Sequence, residues 1–282
     1  MSTTEGTPRD IVVGYDGASD GDVALAWAVA TASSTHQRVR TVIAEDLSVD
    51  GPGPLLWTDD YWDDVEARAR AVLRSCGVAE PRVDRVPGLP VKVLLGLSSE
   101  AGLLVVGSRG HGRVGELLLG SVSQHLAGHA ACPVVVARPS AGTGRIVVGM
   151  DGSAQASRAL DQACARAAYT GEEVAVVSGM RVFRDLPVDT RGNLPDTVSA
   201  RILARERELT SWTEEAGARQ PCVTFSQEVV ALPPGRALVD ASVDASLVVV
   251  GSRGRTGFAG MILGSTSHEV LHRAHCPVMV VR

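Results

Sequence analysis

Lysine is nearly missing from this chain. Of its 27 basic residues, only Lys92 is not an arginine. Lys92 does not stand in a glycine-rich loop, so the phosphate loop built on G-x-x-x-x-G-K-[ST] is excluded. Paired cysteines are missing too. The five cysteines (Cys76, Cys132, Cys164, Cys222 and Cys276) are odd in number and form no C-x-x-C, which argues for reduced thiols rather than a disulfide framework. No apolar run approaches the roughly 20 residues that a membrane-spanning helix needs. Met1 to Asp10 is polar and lacks the apolar centre of a signal peptide. An excess of positive charge is also absent: the net charge is −5, so neither nucleic acid nor an anionic membrane is the expected main partner. A soluble, cytoplasmic protein is the expectation.

What the chain does have, it has twice. With 45% hydrophobic and 21% charged residues over 282 positions, the composition is that of globular domains, and the length favours about two. Asp16-Gly17 recurs as Asp151-Gly152, and Cys132-Pro133-Val134 as Cys276-Pro277-Val278. Gly107-Ser108-Arg109-Gly110 is followed after nine residues by Gly120-Ser121. Gly251-Ser252-Arg253-Gly254 is followed at the same spacing by Gly264-Ser265. The domains are set at residues 1–140 and 145–282, joined by a short linker from Pro139 to Gly144.

Within each half, apolar runs alternate with helix-patterned segments. Strands are expected at Arg9 to Gly14, Val39 to Ala44, Arg82 to Val86, the apolar run ending at Gly107, and Pro133 to Ala137. Their counterparts are Arg145 to Gly149, Val174 to Val177, Val223 to Val230, the run ending at Gly251, and Pro277 to Val281. The first helix shows Val23, Trp27 and Ala30 at helical spacing; its counterpart shows Ala156, Leu160, Ala163 and Ala167. Third helices carry Leu94, Leu95 and Leu97, or Leu238, Val239 and Val243. Leu47 to Trp62 and Arg181 to Thr197 read as long surface loops. Strands that are apolar throughout imply a mostly parallel sheet covered on both faces. The expected fold class is therefore α/β, two tandem doubly wound domains, each a five-stranded sheet with helices on both faces. Ligands of such sheets bind at the carboxyl ends of the strands, where strand order reverses.

The repeated glycine motif lies at such an end. Glycines let a backbone approach a ligand closely, and a helix N-terminus offers free N–H groups and partial positive charge. A phosphate there would accept bonds from the amides of Gly120, Ser121 and Val122 and from the Ser121 hydroxyl. Gln124, three residues after Ser121, suggests a capping box with Ser121 as N-cap. Ser265 and Thr266 offer the same groups in the second half, where His268 replaces the glutamine. Arg109 and Arg253 lie inside the motif and could pair with phosphate or form surface ion pairs. Asp16 and Asp151 read either as ligand contacts or as turn formers.

In its Asp-Gly turns, G-x2-G-x9-G-[ST] motifs and terminal Cys-Pro-Val strands, the chain resembles a tandem universal stress protein over essentially its full length. The resemblance implies that ATP, with Mg2+, is the cofactor of members that keep this motif. It implies that Asp16 and Asp151 lie near the ribose and the metal–phosphate side. Gly107, Gly110, Gly120 and Ser121 would hold phosphates, as would Gly251, Gly254, Gly264 and Ser265. The main chain at Ala44 and Gly179 would contact adenine, and Val106 and Val250 would line the pocket. Pairing of last strands in that family implies an internal pseudo-dimer, and two chains could associate further as a homodimer. The halves also differ: Ala18 stands where the second half has Ser153, a loss of hydroxyl that could weaken metal or phosphate contact or move the helix cap to Ser19, and His111 and Arg113 are replaced by Arg255 and Gly257. Unequal nucleotide affinity is expected.

Three functions follow as alternatives. The first is an ATP-binding stress-response regulator with an as yet unidentified protein partner. The second is a slow ATPase or phosphotransferase, although no catalytic acid or glutamine recurs at a fixed place in both loops. The third is a nucleotide-independent interaction protein. His268, His272, His275 and Cys276 could suggest a metal site, but a helix face is the simpler reading and no metal-binding residues are assigned. Cys132 and Cys276 are expected in the core, as are Val198, Ile202, Leu209 and Trp212. Asp59, Asp60, Asp63 and Asp64 are expected to open an exposed helix.

Overall fold

The alternation of apolar runs and helical segments folds as expected. A computed structural model describes residues 9–46, 59–110, 119–142, 144–181, 196–255 and 262–282. The chain divides into two compact units, Met1–Arg138 and Pro139–Arg282. No helix among the described residues is long and apolar enough to cross a membrane.

The first unit runs β1 (Ile11–Gly14), α1 (Ser19–Thr35), β2 (Val39–Glu45), α2 (Asp59–Ser75), β3 (Val83–Pro87), α3 (Pro90–Leu97), β4 (Leu103–Gly107), α4 (Ser121–His129) and β5 (Val134–Ala137). Its sheet has the order β3-β2-β1-β4-β5, with parallel pairing throughout. The second unit runs β6 (Arg145–Gly149), α5 (Ala154–Thr170), β7 (Glu173–Gly179), α6 (Asp196–Arg219), β8 (Phe225–Val230), α7 (Pro234–Ala241), β9 (Leu247–Gly251), α8 (Ser265–Arg273) and β10 (Val278–Val281). Its order, β8-β7-β6-β9-β10, repeats the first, again parallel throughout. Strand order reverses between β1 and β4, and between β6 and β9, so each unit has one switch point at the carboxyl ends of those strands.

The central strands are buried end to end except for their final glycines, as a sheet covered on both faces requires. Cys132 and Cys276 are buried in the core, and all five cysteines are free thiols. Burial pushes the Cys132 and Cys164 thiols up to about 11, which keeps them protonated and unreactive at neutral pH. The Asp59 and Asp60 carboxylates stand in the first turn of α2, where negative charge suits the helix dipole.

Several local expectations are corrected. The core face of α1 is Ala24, Leu25, Ala28, Val29 and Ala32, whereas Val23 and Trp27 are half-buried and Ala30 is exposed. Three of these five positions are alanines, so small residues as well as large ones mark its inner side. In α5 the expected face holds: Ala156, Leu160, Ala163 and Ala167 are all buried. Val243 lies beyond the end of α7 and is half exposed. The segments read as loops through Trp62 and Thr197 end earlier, because α2 begins at Asp59 and α6 at Asp196. Trp62 is a core residue. The rest of those two segments, apart from Arg181, lies outside the described residues, as do His111, Arg113 and Gly257. Of the α6 residues expected inward, Val198 and Leu209 are buried, while Ile202 and Trp212 are half-buried.

Candidate functional site

The switch point of the second unit opens into a cleft of about 660 Å3. Its floor is formed by strand ends: Gly149, Val177, Gly179, Val250 and Gly251. One side is the turn after β6, with Asp151 and Ser153. The opposite side is the loop after β9 (Arg253, Gly254, Arg255) and the start of α8 (Gly264, Ser265, Thr266). Every second-half residue expected to contact nucleotide therefore lines one cavity. Sequence reasoning did not find Arg205 of α6, nor Pro234 and Leu238 of α7, which also line it. Arg205 arrives from a helix whose long preceding segment hides its register. Pro234 opens α7, a common helix-start position that could have signalled its place.

Close contacts explain the glycines. A Cβ on Gly251 would stand 2.7 Å from Cβ of Gln155, and one on Gly107 2.8 Å from the Asp20 backbone. Strand end and helix start therefore touch through glycine in both units. Gly110 meets the Asp16 carboxylate in the same way, at 2.6 Å, and Gly254 meets that of Asp151. Gly17 and Gly152, with φ of 87° and 81°, supply the left-handed residue of each Asp-Gly turn. Gly120 and Gly264 differ. Their φ values of −64° and −70° suit any residue, and a Cβ on either would come no closer than 3.4 Å to its neighbours. Neither backbone strain nor packing against the described residues demands glycine there.

Asp151 fastens turn to loop. Asp151 accepts a bond from the Ser153 amide through Oδ1 and from the Arg255 amide through Oδ2, each at 2.9 Å. Asp16 accepts from the Ala18 amide at 3.0 Å. The turn-forming role and a place at the cleft are thus both present in Asp151.

The helix start departs from the capping-box expectation. Gly120 is the N-cap of α4 and Ser121 the first helical residue, with no side-chain cap. Gly264 and Ser265 repeat this in α8. The amides of Gly120 and Gly264 donate to the Ser108 and Ser252 carbonyls at 2.8 Å, so they close the loop and are not free for a ligand. Ser123 and Ser267 donate their hydroxyls to the Gly107 and Gly251 carbonyls at 2.7 and 2.6 Å. The amides of Ser121, Val122 and Ser123, and of Ser265, Thr266 and Ser267, occupy the first turn, where N–H groups have no intrahelical partner. Nor does the cap move to Ser19: α1 begins at Ser19 with Ala18 as its uncapped N-cap.

Ala44 and Gly179 hold matching register. The amides of Tyr15 and Met150 bond the carbonyls of Val42 and Val177, and Ala44 and Gly179 follow two residues later. Gly179 lines the cleft; Ala44 is half-buried near the end of β2. Val106 is buried on β4 beside Gly14 of β1.

The arginines of the two loops are placed differently. Arg253 lines the cleft and has no hydrogen-bond or ion-pair partner among the described residues, although its Nε is buried. Arg109 donates from Nε to Asp20 at 3.1 Å. The sequence comparison of the two halves did not single out Asp20. Among the described residues, no group of three His, Cys, Asp or Glu side chains could hold a metal ion. His268 and His272 lie with their rings 4.3 Å apart on α8.

The sequence matches the Universal stress protein family over residues 8–138 and again over 142–282. The chain belongs to the universal stress protein family. A universal stress protein of Mycobacterium tuberculosis is 34% identical over 292 residues, covering 96% of each chain. One from Mycolicibacterium smegmatis is 33% identical over 294 residues, covering 98% of each. The crystal structure of a universal stress protein from Archaeoglobus fulgidus shares the fold, with a TM-score of 0.69 at 22% identity over 97% of this chain and 98% of its own. Two universal-stress-protein domains in tandem, each with a parallel sheet between helices, account for the doubled motif.

Proposed function

We propose that this universal stress protein binds an adenine nucleotide, ATP with Mg2+, at the switch point of each unit, and that nucleotide occupancy regulates its association with a protein partner in a stress response. The observation that carries this reading is the open face at Gly264 and Gly120. Among the described residues no internal contact requires glycine there, and each glycine is the N-cap of the helix that follows. Glycine at that place keeps the approach to the helix N-terminus clear, as an anion site requires.

The cleft supports the reading in size, since small-molecule sites occupy about 300–1,000 Å3. The Arg253 guanidinium lines the cleft and meets no acceptor among the described residues, which leaves its charge available to a phosphate. Phosphates would lie against Gly251, Arg253, Gly254 and the amides of Ser265 and Thr266, with Gly264 beneath them. Adenine would stand over Val250, toward the main chain of Gly179. In the first unit the corresponding groups are Val106, Gly107, Arg109, Gly110, Gly120, Ser121 and Val122, with Ala44 for adenine. Mg2+ would be held mainly by the nucleotide's own phosphates and water, with Asp151 or Asp16 nearby; the ion would neutralise phosphate charge. Donors from a loop, an arginine and a helix start outnumber what a cyclic monophosphate needs, which favours the triphosphate.

The test is direct. The purified chain is denatured and any released nucleotide identified by mass spectrometry, and fresh protein is then incubated with ATP while ADP is followed. Retention of ATP over hours is the expected result. Rapid turnover, lost in Asp16→Ala with Asp151→Ala, would establish a hydrolase instead. Failure to bind any adenine nucleotide at millimolar supply would leave a nucleotide-independent interaction protein. Gly120→Val with Gly264→Val is expected to abolish binding in a chain that still folds.

A further inference from the structure

The two loops share their glycines and serines but differ in what faces the arginine. In the first unit, Asp20 stands in the first turn of α1 against Gly107. Its side chain is only 11% exposed. Oδ2 accepts from the Ser108 hydroxyl at 2.6 Å and from Arg109 Nε at 3.1 Å. Burial alone would raise the Asp20 carboxyl, but the bonds from Ser108 and Arg109, with the arginine's charge, hold it below the ordinary carboxylate range. It is ionised at neutral pH. In the second unit the residue facing Gly251 is Gln155, a neutral side chain, and Arg253 keeps an unpartnered Nε.

A second position moves the same way. Arg205 lines the second cleft and reaches the Asp151 carbonyl at 3.5 Å. The residue 144 positions earlier is Tyr61, pushed up to about 12 by burial and by the charge of Asp16. Arg205 and Arg253 thus both line the second cleft, whereas in the first unit Asp20 engages Arg109 and Tyr61 stands where the second unit has Arg205.

We propose that Asp20 is a specificity-determining residue: by engaging Arg109 and adding a carboxylate beside the loop, it makes the first site a weak polyphosphate site, so that the second unit takes ATP first. This rests on the nucleotide reading above. An anionic ligand entering the first site must draw Arg109 away from Asp20, leaving an unneutralised carboxylate beside it, or do without that arginine's charge; in the second, Arg253 has no competing partner among the described residues. One charge-assisted bond gained or lost corresponds to about tenfold in affinity.

Calorimetric titration of the full-length chain with MgATP tests this. The wild-type chain is expected to show two classes of site at least about tenfold apart, the tight class vanishing in Gly264→Val and the weak one in Gly120→Val. Asp20→Asn, which keeps shape and polarity, is expected to tighten the weak class about tenfold. Gln155→Asp is expected to weaken the tight class by a similar factor. A gain of affinity in Asp20→Asn cannot come from local unfolding, and melting curves check both variants for folding. Two equal wild-type sites, a tight class that survives Gly264→Val, or an Asp20→Asn chain with unchanged weak-site affinity would overturn the inference and leave nucleotide binding standing. Absence of ATP binding in the wild type and every variant would overturn the nucleotide reading, and this inference with it.

Discussion

The first and second units use one backbone frame and fasten it in different ways. In the first, the Tyr15 hydroxyl donates to Asp22 at 2.7 Å and Arg68 of α2 pairs with the same carboxylate at 2.5 Å. This polar clasp joins the end of β1, α1 and α2. In the second, Met150 and Ser157 stand at the positions of Tyr15 and Asp22, and Trp212 stands at that of Arg68. The Trp212 ring packs over Gly152, with the Arg205 guanidinium 5.9 Å from its centre. The helix starts differ as well: Ser153 accepts the Ala156 amide, while Ala18 caps nothing. Core and strand register are therefore common to both units, and the side chains around the strand-one turn are where they have diverged. Perturbations of the core should affect both units alike, and perturbations of the turn should not.

The largest effect is expected in the shared core. Leu25 of α1 and Leu160 of α5 are equivalent, 0% and 2% exposed. Leu25→Ala and Leu160→Ala should each cost about 2–5 kcal/mol, the usual penalty for a buried leucine. Denaturant unfolding of each variant, followed by proteolysis to identify the unit that opens first, measures it. Costs differing by more than a factor of two would break the claim that the cores are equivalent.

The clasp comes next. Asp22→Asn removes the charge that holds Arg68 and weakens the acceptor for Tyr15. Because Arg68 is half exposed, the expected loss is about 1 kcal/mol, confined to the first unit. Ser157→Ala, at the equivalent position, should change little. The Tyr15 phenol is pushed up by burial and further by its bond to Asp22 and that residue's charge. A raised phenol favours the folded state while protonated, so this contribution is intact below about pH 10 and is lost as pH climbs above it. Alkaline unfolding should therefore begin in the first unit. An identical alkaline profile for wild type and Tyr15→Phe would show that the clasp is not involved.

The strands and motif glycines were legible because their signals are local: apolar runs of strand length, and glycines at a fixed spacing, twice. The doubling gave the domain plan, and matching register made Ala44 and Gly179 equivalent. What was not legible depends on approach between distant segments. Asp20 lies 89 positions before Arg109, and in the sequence it is one of several acids at a helix start, where the dipole already explains it. Arg205 reaches the cleft from a helix whose phase is set by packing. The capping box failed because Ser121 and Gln124 fit its spacing, while Gly120 took the cap position and the Ser123 hydroxyl was drawn to the Gly107 carbonyl.

The smallest effect is expected at the caps, where the two units differ by a single oxygen. Ser153→Ala removes the acceptor of the Ala156 amide and should cost about 1 kcal/mol, the usual value of an N-cap hydroxyl. Ala18 has the same extended backbone, φ −76° and ψ 160° against −76° and 155° for Ser153. Ala18→Ser should therefore recover a bond to the helix start and stabilise the first unit by a similar or smaller amount. Thermal unfolding of both variants measures the pair. A gain from Ala18→Ser would mean the first turn lacks only the hydroxyl. No gain would mean that Asp20, two residues on and held by Ser108 and Arg109, already supplies the negative charge that this helix N-terminus can use.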